Sequence, residues 1–200
     1  MPKVTQEYME ARRKQILDAA RRCFLRDGFH STSMQDLFAE ADLSAGAVYR
    51  HFASKDEMIT AIVEENIREV LAMVHGVAEH RPSSSVGAMV ADVLELVKAK
   101  TLEQDIAGLA VLAWSESLRN PSLAAQFKDL LAQMRLDFAE VVREHQKSGN
   151  LPREVPAEAI AATFVCILPG YILQLAMGDL HGVEGVPDAL RALWPDTAAS

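Results

Sequence analysis

Apolar residues recur along most of this chain at the three- and four-residue spacing of helices, and no segment alternates with a period of two. The spacing predicts a first helix ending at Gly28, then helices over 55–80, 86–100, 106–118, 121–148 and 159–178. Breaks are predicted at Asn120-Pro121, at Gly149-Asn150 and at the linker-like RPSSS segment, residues 81–85. The pattern therefore predicts an all-α protein.

Residues 34–55 carry the most informative pattern, which predicts two short helices joined by a tight turn and a third helix just beyond. Leu37 and Ala41 give the first helix an apolar side, and Val48 and Phe52 do the same for the second. If these sides pack together, a small, hydroxylated, aromatic and cationic surface faces outward. Its members are Ser44, Ala45, Gly46, Ala47, Tyr49, Arg50 and His51. This arrangement is typical of a helix-turn-helix, which presents its second helix to the DNA major groove.

The residues that bracket these helices support the same interpretation. Ser33 and Ser44 are candidate N-caps, and Asp42 stands where the turn favours Asn or Asp in the left-handed region. Ser54 followed three residues later by Glu57 predicts a capping box at the start of the third helix.

The segment GFHSTSMQDLFAEADLSAGAVYRHFASKDEM, residues 28–58, resembles the DNA-binding segment of the tetracycline-repressor (TetR) family of bacterial regulators. The matching positions are Gly28-Phe29, Thr32-Ser33, Leu43-Ser44, Gly46, Tyr49-Arg50-His51-Phe52 and Ser54-Lys55. Phe38 and Asp42 depart from the pattern, because many members have a small residue and a glycine there. The resemblance implies a three-helix DNA-binding domain over 1–53 and a larger helical ligand-binding and dimerisation domain over 54–200.

The resemblance also implies roles for individual residues. Phosphate contacts are expected from Thr32, Ser33, Tyr49, His51 and Lys55, and base contacts from Ser44, Ala45, Gly46, Ala47 and Arg50. The expected activity is that of a homodimeric repressor, released from a palindromic operator on double-stranded DNA by a small apolar or aromatic ligand. A ligand-responsive activator of the same fold is the alternative.

The charge distribution agrees with such a division. Residues 1–55 hold nine Lys/Arg and seven Asp/Glu, whereas residues 56–200 hold eleven and twenty-one, within a net charge of −8. Most of the positive charge falls on the first helix, at Arg12, Arg13, Lys14, Arg21, Arg22 and Arg26. The sequence thus predicts a mildly basic head on an acidic body.

The uncharged stretch of residues 159–178 is long enough to cross a membrane. It has acidic flanks, a central Pro169-Gly170 and no nearby Lys or Arg, so a buried dimer helix paired with residues 121–148 is the better interpretation. Cys23 and Cys166 lie in apolar helical contexts that predict buried free thiols in a reducing compartment. The opening residues have no apolar signal-peptide core, so a cytoplasmic location without membrane association is expected.

Large apolar side chains on the later helices predict a ligand pocket. The candidates are Met73, Met89, Trp114, Phe127, Met134, Phe138 and Phe164, and Ser115, Glu116, Thr163 and Gln174 are the polar candidates. A di-metal enzyme is disfavoured because no histidine follows a Glu by three residues, and no catalytic or cofactor fingerprint is present. We therefore expect no enzyme activity, no cofactor and no metal. A helical scaffold whose helix-turn-helix binds protein remains a further alternative.

Overall fold

The computed structural model describes residues 6–80 and 85–195, and within those ranges the regular structure is entirely α-helical. The helices are α1 Gln6–Asp27, α2 Met34–Ala41, α3 Ala45–Tyr49, α4 Lys55–His80, α5 Val86–Gln104, α6 Ile106–Ser117, α7 Pro121–Lys147, α8 Ala157–Ala176, α9 Leu180–Val183 and α10 Val186–Leu193. The predicted all-α class is confirmed. Of the predicted break at residues 81–85, residues 81–84 lie outside the described residues, as do residues 1–5 and 196–200, and Ser85 is the N-cap of α5.

The chain divides into two compact units, Met1–Glu65 and Asn66–Ser200, whereas the sequence placed the boundary at residue 53. The first turns of α4 belong to the N-terminal unit because their apolar side is buried there, through Met58, Ile59 and Ile62. Two arginines of α1, Arg13 and Arg21, also form ion pairs with Glu65. The rest of this unit's core includes Ile16, Leu17, Ala20, Cys23, Phe24, Leu37, Ala41, Val48 and Phe52.

In the C-terminal unit, α8 packs against α5, α6 and α7 and supplies the centre of the core. Phe164, Val165 and Leu168 of α8 are buried, together with Met134 and Phe138 of α7. This burial accounts for the apolar residues on the inner side of α8.

The two short helices α9 and α10 lie beyond the last helix that the periodicity predicts. Gly87 of α5 allows α10 to pack closely, since a Cβ at that position would stand 2.2 Å from the Leu190 carbonyl oxygen. Trp194, just after α10, meets Phe164 edge-on with ring centroids 5.3 Å apart. Arg191 of α10 donates to Asp92 and Glu95 of α5, each at 2.8 Å. These contacts hold the C-terminal end of the described chain on the core of this unit.

Helix α8 is the one helix of the described residues that is long and apolar enough to cross a membrane, judged by length and composition alone. Pro169 lies in its interior without ending it. One face of the helix remains exposed, including Leu173, Met177 and Cys166. The expectation of a buried thiol is thus wrong for Cys166, because its position falls on this outer face, and right for Cys23.

Candidate nucleic-acid interface and ligand cavity

The end caps of α2 and α3 form as the sequence predicts. The Ser33 hydroxyl accepts from the Asp36 amide at 3.2 Å, and the Asp36 carboxylate accepts from the Ser33 amide at 2.8 Å, which completes a capping box. Asp42 ends α2 with φ 53° and ψ 47°, in the left-handed region. Ser44 caps α3 by accepting from the Ala47 amide at 3.3 Å. Each hydroxyl satisfies an amide that the first turn of its helix leaves unpaired, so the turn geometry is fixed locally.

At the start of α4 the predicted capping box is only half formed. The Ser54 hydroxyl accepts from the Glu57 amide at 3.2 Å, as expected. The Glu57 carboxylate, however, accepts from the Ala53 amide at 2.6 Å and not from Ser54. The carboxylate therefore reaches one residue further back and anchors the segment that follows α3.

Helix α3 has a buried side and an outer side that agree with the predicted division. Val48 and the following Phe52 are buried, whereas Ser44, Ala45, Gly46, Tyr49 and Arg50 are exposed and Ala47 is partly exposed. A Cβ on Gly46 would meet nothing within 4 Å. The outer side of α3 therefore carries only small side chains over its first turn, and the exposed Arg50 follows at its C-terminal end.

Tyr49 is half exposed and does not join the core beside Phe52. Its ring meets Phe38 of α2 edge-on, with centroids 5.5 Å apart and an interplanar angle of 70°. Phe38 is the position that departs from the family pattern toward a large side chain. The departure thus provides a ring against which Tyr49 packs while its other side faces solvent.

Lys55 joins the start of α4 to the loop before α2. Its ammonium group donates to the Thr32 carbonyl oxygen at 2.8 Å and to the His30 carbonyl oxygen at 3.4 Å. A lysine ammonium carries three hydrogens, so one donor remains for an anion. The N-terminal amides of α4 lie next to this side chain and favour negative charge as well.

Thr32 is almost completely buried, and its hydroxyl donates to the Gly28 carbonyl oxygen at 2.8 Å. The Thr32 hydroxyl is therefore enclosed by the protein and already bonded, and the predicted phosphate contact of Thr32 stays a prediction that would involve its backbone. Ser33 is exposed, but its hydroxyl donates to the Asp36 carboxylate at 2.6 Å. That bond lowers the pKa of Asp36 and keeps a negative charge beside the Ser33 position.

Most of the arginines on α1 are engaged in ion pairs within the N-terminal unit. Arg22 pairs with Glu40 at 2.6 Å, Arg26 pairs with Glu40 and Asp27, and Arg13 pairs with Glu65 at 2.9 Å. The positive charge that the sequence assigns to this helix is thus largely neutralised by nearby carboxylates. The basic character of the candidate interface depends more on Arg50, His51 and Lys55 than on α1.

His51 lies in a positively charged setting. Burial lowers its pKa first, and the guanidinium groups of Arg50, Arg12 and Arg13 lower it further. The imidazole is therefore held neutral at pH values where an isolated histidine would begin to gain a proton. A phosphate placed among these groups would relieve their mutual repulsion.

The C-terminal unit contains a cavity of about 540 Å³ walled mainly by apolar side chains. Trp114, Phe127 and Met134 line it, as the sequence predicts. Its other lining residues are Asn66, Val70, Ala110, Val111, Ser115, Ser117, Leu118, Leu130, Leu131, Val165, Leu168, Pro169 and Ile172. None of these side chains is ionisable, so the cavity suits an uncharged molecule.

The other four predicted ligand residues lie elsewhere. Met89, Phe138 and Phe164 are core residues, and Met73 lines a more open groove with Asp92 and Glu95. The side chains share apolar helical stripes with the cavity residues, but they point to other parts of the bundle. Of the polar candidates, Ser115 lines the cavity, while Glu116, Thr163 and Gln174 are not among its lining residues. Asn66, which the sequence analysis missed, is a polar residue of the wall.

Among the described residues, no group of three or more His, Cys, Asp and Glu could hold a metal ion. The Arg50 guanidinium has no ion pair or hydrogen bond with any described residue, although its backbone amide donates to the Val48 carbonyl oxygen. The arrangement therefore offers an exposed helix-turn-helix on one unit and an apolar cavity on the other.

Comparisons with known proteins identify the family. Residues 16–62 match the bacterial regulatory proteins, tetR family, and residues 86–196 match the BetI-type transcriptional repressor, C-terminal. The uncharacterized HTH-type transcriptional regulator YfiR of Bacillus subtilis strain 168 is 30% identical over 86% of this chain and 83% of its own. The HTH-type transcriptional repressor AcnR of Corynebacterium jeikeium strain K411 is 29% identical over 95% and 94%.

Solved structures share the fold. Salmonella enterica GusR is 24% identical, with a TM-score of 0.69 over 96% of this chain and 98% of its own. A putative transcriptional regulator from Saccharomonospora viridis in complex with choline is 23% identical, with a TM-score of 0.72 over 92% and 95%. The chain thus belongs to the TetR family of bacterial transcriptional regulators, which are DNA-binding proteins and not enzymes.

Proposed function

We propose that this protein is a cytoplasmic homodimeric repressor that a small apolar ligand releases from a palindromic operator. The observation that carries the DNA-binding part is the outer side of α3. Its first turn is exposed and has only small side chains, while Val48 on the opposite side is buried. The guanidinium of Arg50, at the end of the helix, has no partner among the described residues. A surface of this kind lets the backbone of a short helix approach the base edges of a major groove.

In this proposal, base edges are met by Ser44, Ala45, Gly46, Ala47 and Arg50. The two alanine methyl groups can contact thymine methyls, and the Arg50 guanidinium can pair with guanine. Phosphates are met by Tyr49, His51 and the third donor of Lys55. Thr32 contributes its carbonyl oxygen to Lys55 and not its hydroxyl, and a Ser33 contact requires its hydroxyl to leave Asp36.

The dimer part rests on the exposed apolar side chains of α7, of α8 and of Met177, the residue that caps α8. Leu136, Leu173 and Met177 are 58%, 45% and 76% exposed, which is unusual for large side chains on long helices. A second copy related by a two-fold axis would cover them. A dimer also brings two recognition helices to the two half-sites of an operator. One short helix alone contacts too few base pairs to select a genomic site.

The ligand part rests on the cavity lined by Trp114 and Phe127. Its wall has no ionisable side chain, so a charged ligand would lose its hydration without gaining an ionic partner. Two aromatic rings could contact a quaternary ammonium group such as that of choline, which one structural relative holds. The absence of a carboxylate among the described lining residues nevertheless favours a neutral molecule, and titration with choline provides the comparison.

Helix α4 contributes residues to both units and is the element through which we expect ligand and DNA to influence each other. The ligand must bind better to a state in which the two recognition helices no longer match the operator. Thermodynamic linkage then requires DNA to weaken ligand binding by the same factor as ligand weakens DNA binding. Measuring both factors at equilibrium tests the scheme, and unequal factors reject it.

Selection of bound duplexes from a random DNA pool tests the central proposal. We expect a palindrome to emerge, and the double variant Arg50→Ala/Lys55→Ala to lose affinity for it. The control is Lys14→Ala/Lys128→Ala, which removes the same charge from exposed positions outside α2 and α3. Unchanged affinity in the first variant supports a helical scaffold that binds protein instead.

The dimer is tested through Cys166, the exposed cysteine, since Cys23 is buried. A short bis-maleimide should join two chains through Cys166 at micromolar protein, and Cys166→Ser should abolish the product. Sedimentation of Leu173→Glu/Met177→Glu should give a monomer. A wild-type monomer at that concentration contradicts the proposal. Transcription in vitro from a selected operator then separates a repressor from the alternative, a ligand-responsive activator.

A further inference from the structure

Pro169 lies in the interior of α8 at the point where this helix forms a wall of the cavity. Proline has no amide hydrogen, so the carbonyl oxygen four residues earlier, at Val165, has no amide to accept from in the α-helical pattern. Interior helix prolines are usually destabilising for this reason. Here the proline is placed in a helix that is otherwise well packed.

Helix geometry directs the freed carbonyl toward the cavity side of the helix, because the residues at both ends of the missing bond line the cavity. A carbonyl at residue i points along the strip of helix surface between residues i and i+4, and both Val165 and Pro169 line the cavity. Leu168 and Ile172 line it as well, so the whole of this strip faces the empty volume. Val165 and Leu168 are buried, which keeps bulk water from the wall.

The other polar groups of the wall are fewer and weaker candidates. The Asn66 amide donates to the Ile106 carbonyl oxygen at 3.4 Å, and the Ser117 hydroxyl donates to the Trp114 carbonyl oxygen at 2.7 Å. Ser115 is exposed and lies beside Leu118, which is 87% exposed, so these two residues mark the mouth of the cavity. Asn66 keeps its side-chain oxygen as an acceptor but is only partly buried, whereas Val165 is buried, so the backbone at Val165 is the deeper acceptor of the wall.

We infer that the cavity selects an uncharged, largely apolar ligand carrying one O–H or N–H group, which donates to the Val165 carbonyl oxygen. This inference rests on the proposed ligand site and specifies its chemistry. An apolar molecule without a donor fills the same volume but leaves the carbonyl without a partner. A cation or an anion is disfavoured because the described wall offers no opposite charge.

A matched pair of probes and a stabilising variant test the inference. The probes are 1-naphthol and its methyl ether 1-methoxynaphthalene, which share an aromatic body but differ in the O–H donor. Titration calorimetry on the full-length protein should give about three- to tenfold tighter binding of 1-naphthol. Pro169→Ala restores an amide for the Val165 carbonyl and should reduce this preference to less than about twofold.

Pro169→Ala is expected to fold, since alanine is the better residue in a helix interior, and its thermal unfolding midpoint should rise. The comparison variant is Thr163→Ala, which removes an exposed hydroxyl of the same helix outside the cavity wall and should keep the preference for 1-naphthol. A preference that survives Pro169→Ala, that is absent in the wild type, or that disappears in Thr163→Ala overturns the inference. If neither probe binds the wild type saturably, the proposed ligand site fails and the inference fails with it.

Discussion

The ring of Tyr49 stands edge-on to the ring of Phe38, with centroids 5.5 Å apart, and so a residue of α2 supports a residue at the end of α3. Edge-to-face pairs of this kind are worth about 0.5–1.5 kcal/mol beyond simple burial. Tyr49 is half exposed, which leaves its ring with few other contacts to limit its rotamers. The direction of its hydroxyl, on which the proposed phosphate contact relies, thus depends in part on Phe38.

Replacing Phe38 by Ala should therefore weaken operator binding even though Phe38 itself reaches no DNA in the proposed complex. We expect a loss of about threefold to tenfold, the equivalent of the pair energy above. Equilibrium fluorescence anisotropy with the selected operator measures it, at a temperature well below the unfolding transition of the variant.

The cycle of Phe38→Ala, Tyr49→Ala and the double variant separates positioning from general loosening of the domain. If Phe38 acts through Tyr49, its replacement should have little further effect once Tyr49 is absent. Losses that simply add in the double variant would assign Phe38 a structural role alone.

Arg50 should determine base preference, whereas Lys55 should determine affinity without sequence preference. Arg50→Ala is expected to cost about 1–3 kcal/mol and to relax the selected consensus at one position in each half-site. Lys55→Ala should lower the slope of log affinity against log salt by about one, because one phosphate contact is lost. Competition binding against operators changed at single positions measures the first effect, and a salt titration measures the second.

An unaltered consensus in Arg50→Ala would contradict the assignment. The exposed Lys14 of α1 gives the comparison, since Lys14→Ala removes one charge outside α2 and α3. It should leave the consensus unchanged.

The helix-turn-helix could be predicted from sequence because its determinants are local. Ser33 and Ser44 each accept from the amide three residues later, and the Asp42 amide donates to the carbonyl oxygens of Ala39 and Phe38. The caps and the left-handed turn are therefore determined within short segments. The ion pairs of α1 could not be predicted, because Arg22 and Glu40 are far apart in sequence and meet only after α2 packs on α1. The basic helix expected from composition is consequently a largely neutralised one.

The cavity was predicted less well for a related reason. Periodicity identifies an apolar stripe, but it does not distinguish the part of the stripe that packs against a neighbour from the part that faces a void. Phe127 and Phe138 belong to one stripe of α7, yet the first lines the cavity and the second lies in the core. Thr32 illustrates the same limit, since nothing local predicts that its hydroxyl would turn inward to Gly28.

His51 should make operator binding depend on pH. Burial and the nearby arginines lower its pKa in the free protein, so the imidazole is neutral near pH 7.5. A bound phosphate favours the charged form and raises the pKa in the complex, so binding takes up a proton. Affinity should therefore increase as the pH falls from about 7.5 toward 5.5. Anisotropy titrations across this range at constant ionic strength measure the slope.

The matched variant is His51→Gln, which keeps a hydrogen-bonding side chain but cannot gain a proton. Its binding should lose most of the pH slope. Equal slopes in the two proteins would assign the proton uptake to another group.

Gly87 should be irreplaceable for the packing of α10 on α5. A Cβ at this position would stand 2.2 Å from the Leu190 carbonyl oxygen and 2.8 Å from that of Trp194, and both are backbone atoms that cannot move alone. Gly87→Ala must push α10 away and is expected to lower the free energy of unfolding by about 1–3 kcal/mol, as overpacking usually does.

The control is Gly76→Ala in α4, where an added Cβ meets nothing within 4 Å. There the gain in helix propensity should raise stability by about 0.5–1 kcal/mol. Chemical denaturation of both variants measures the difference, and equal stabilisation by the two alanines would show that α10 does not pack on α5 in solution.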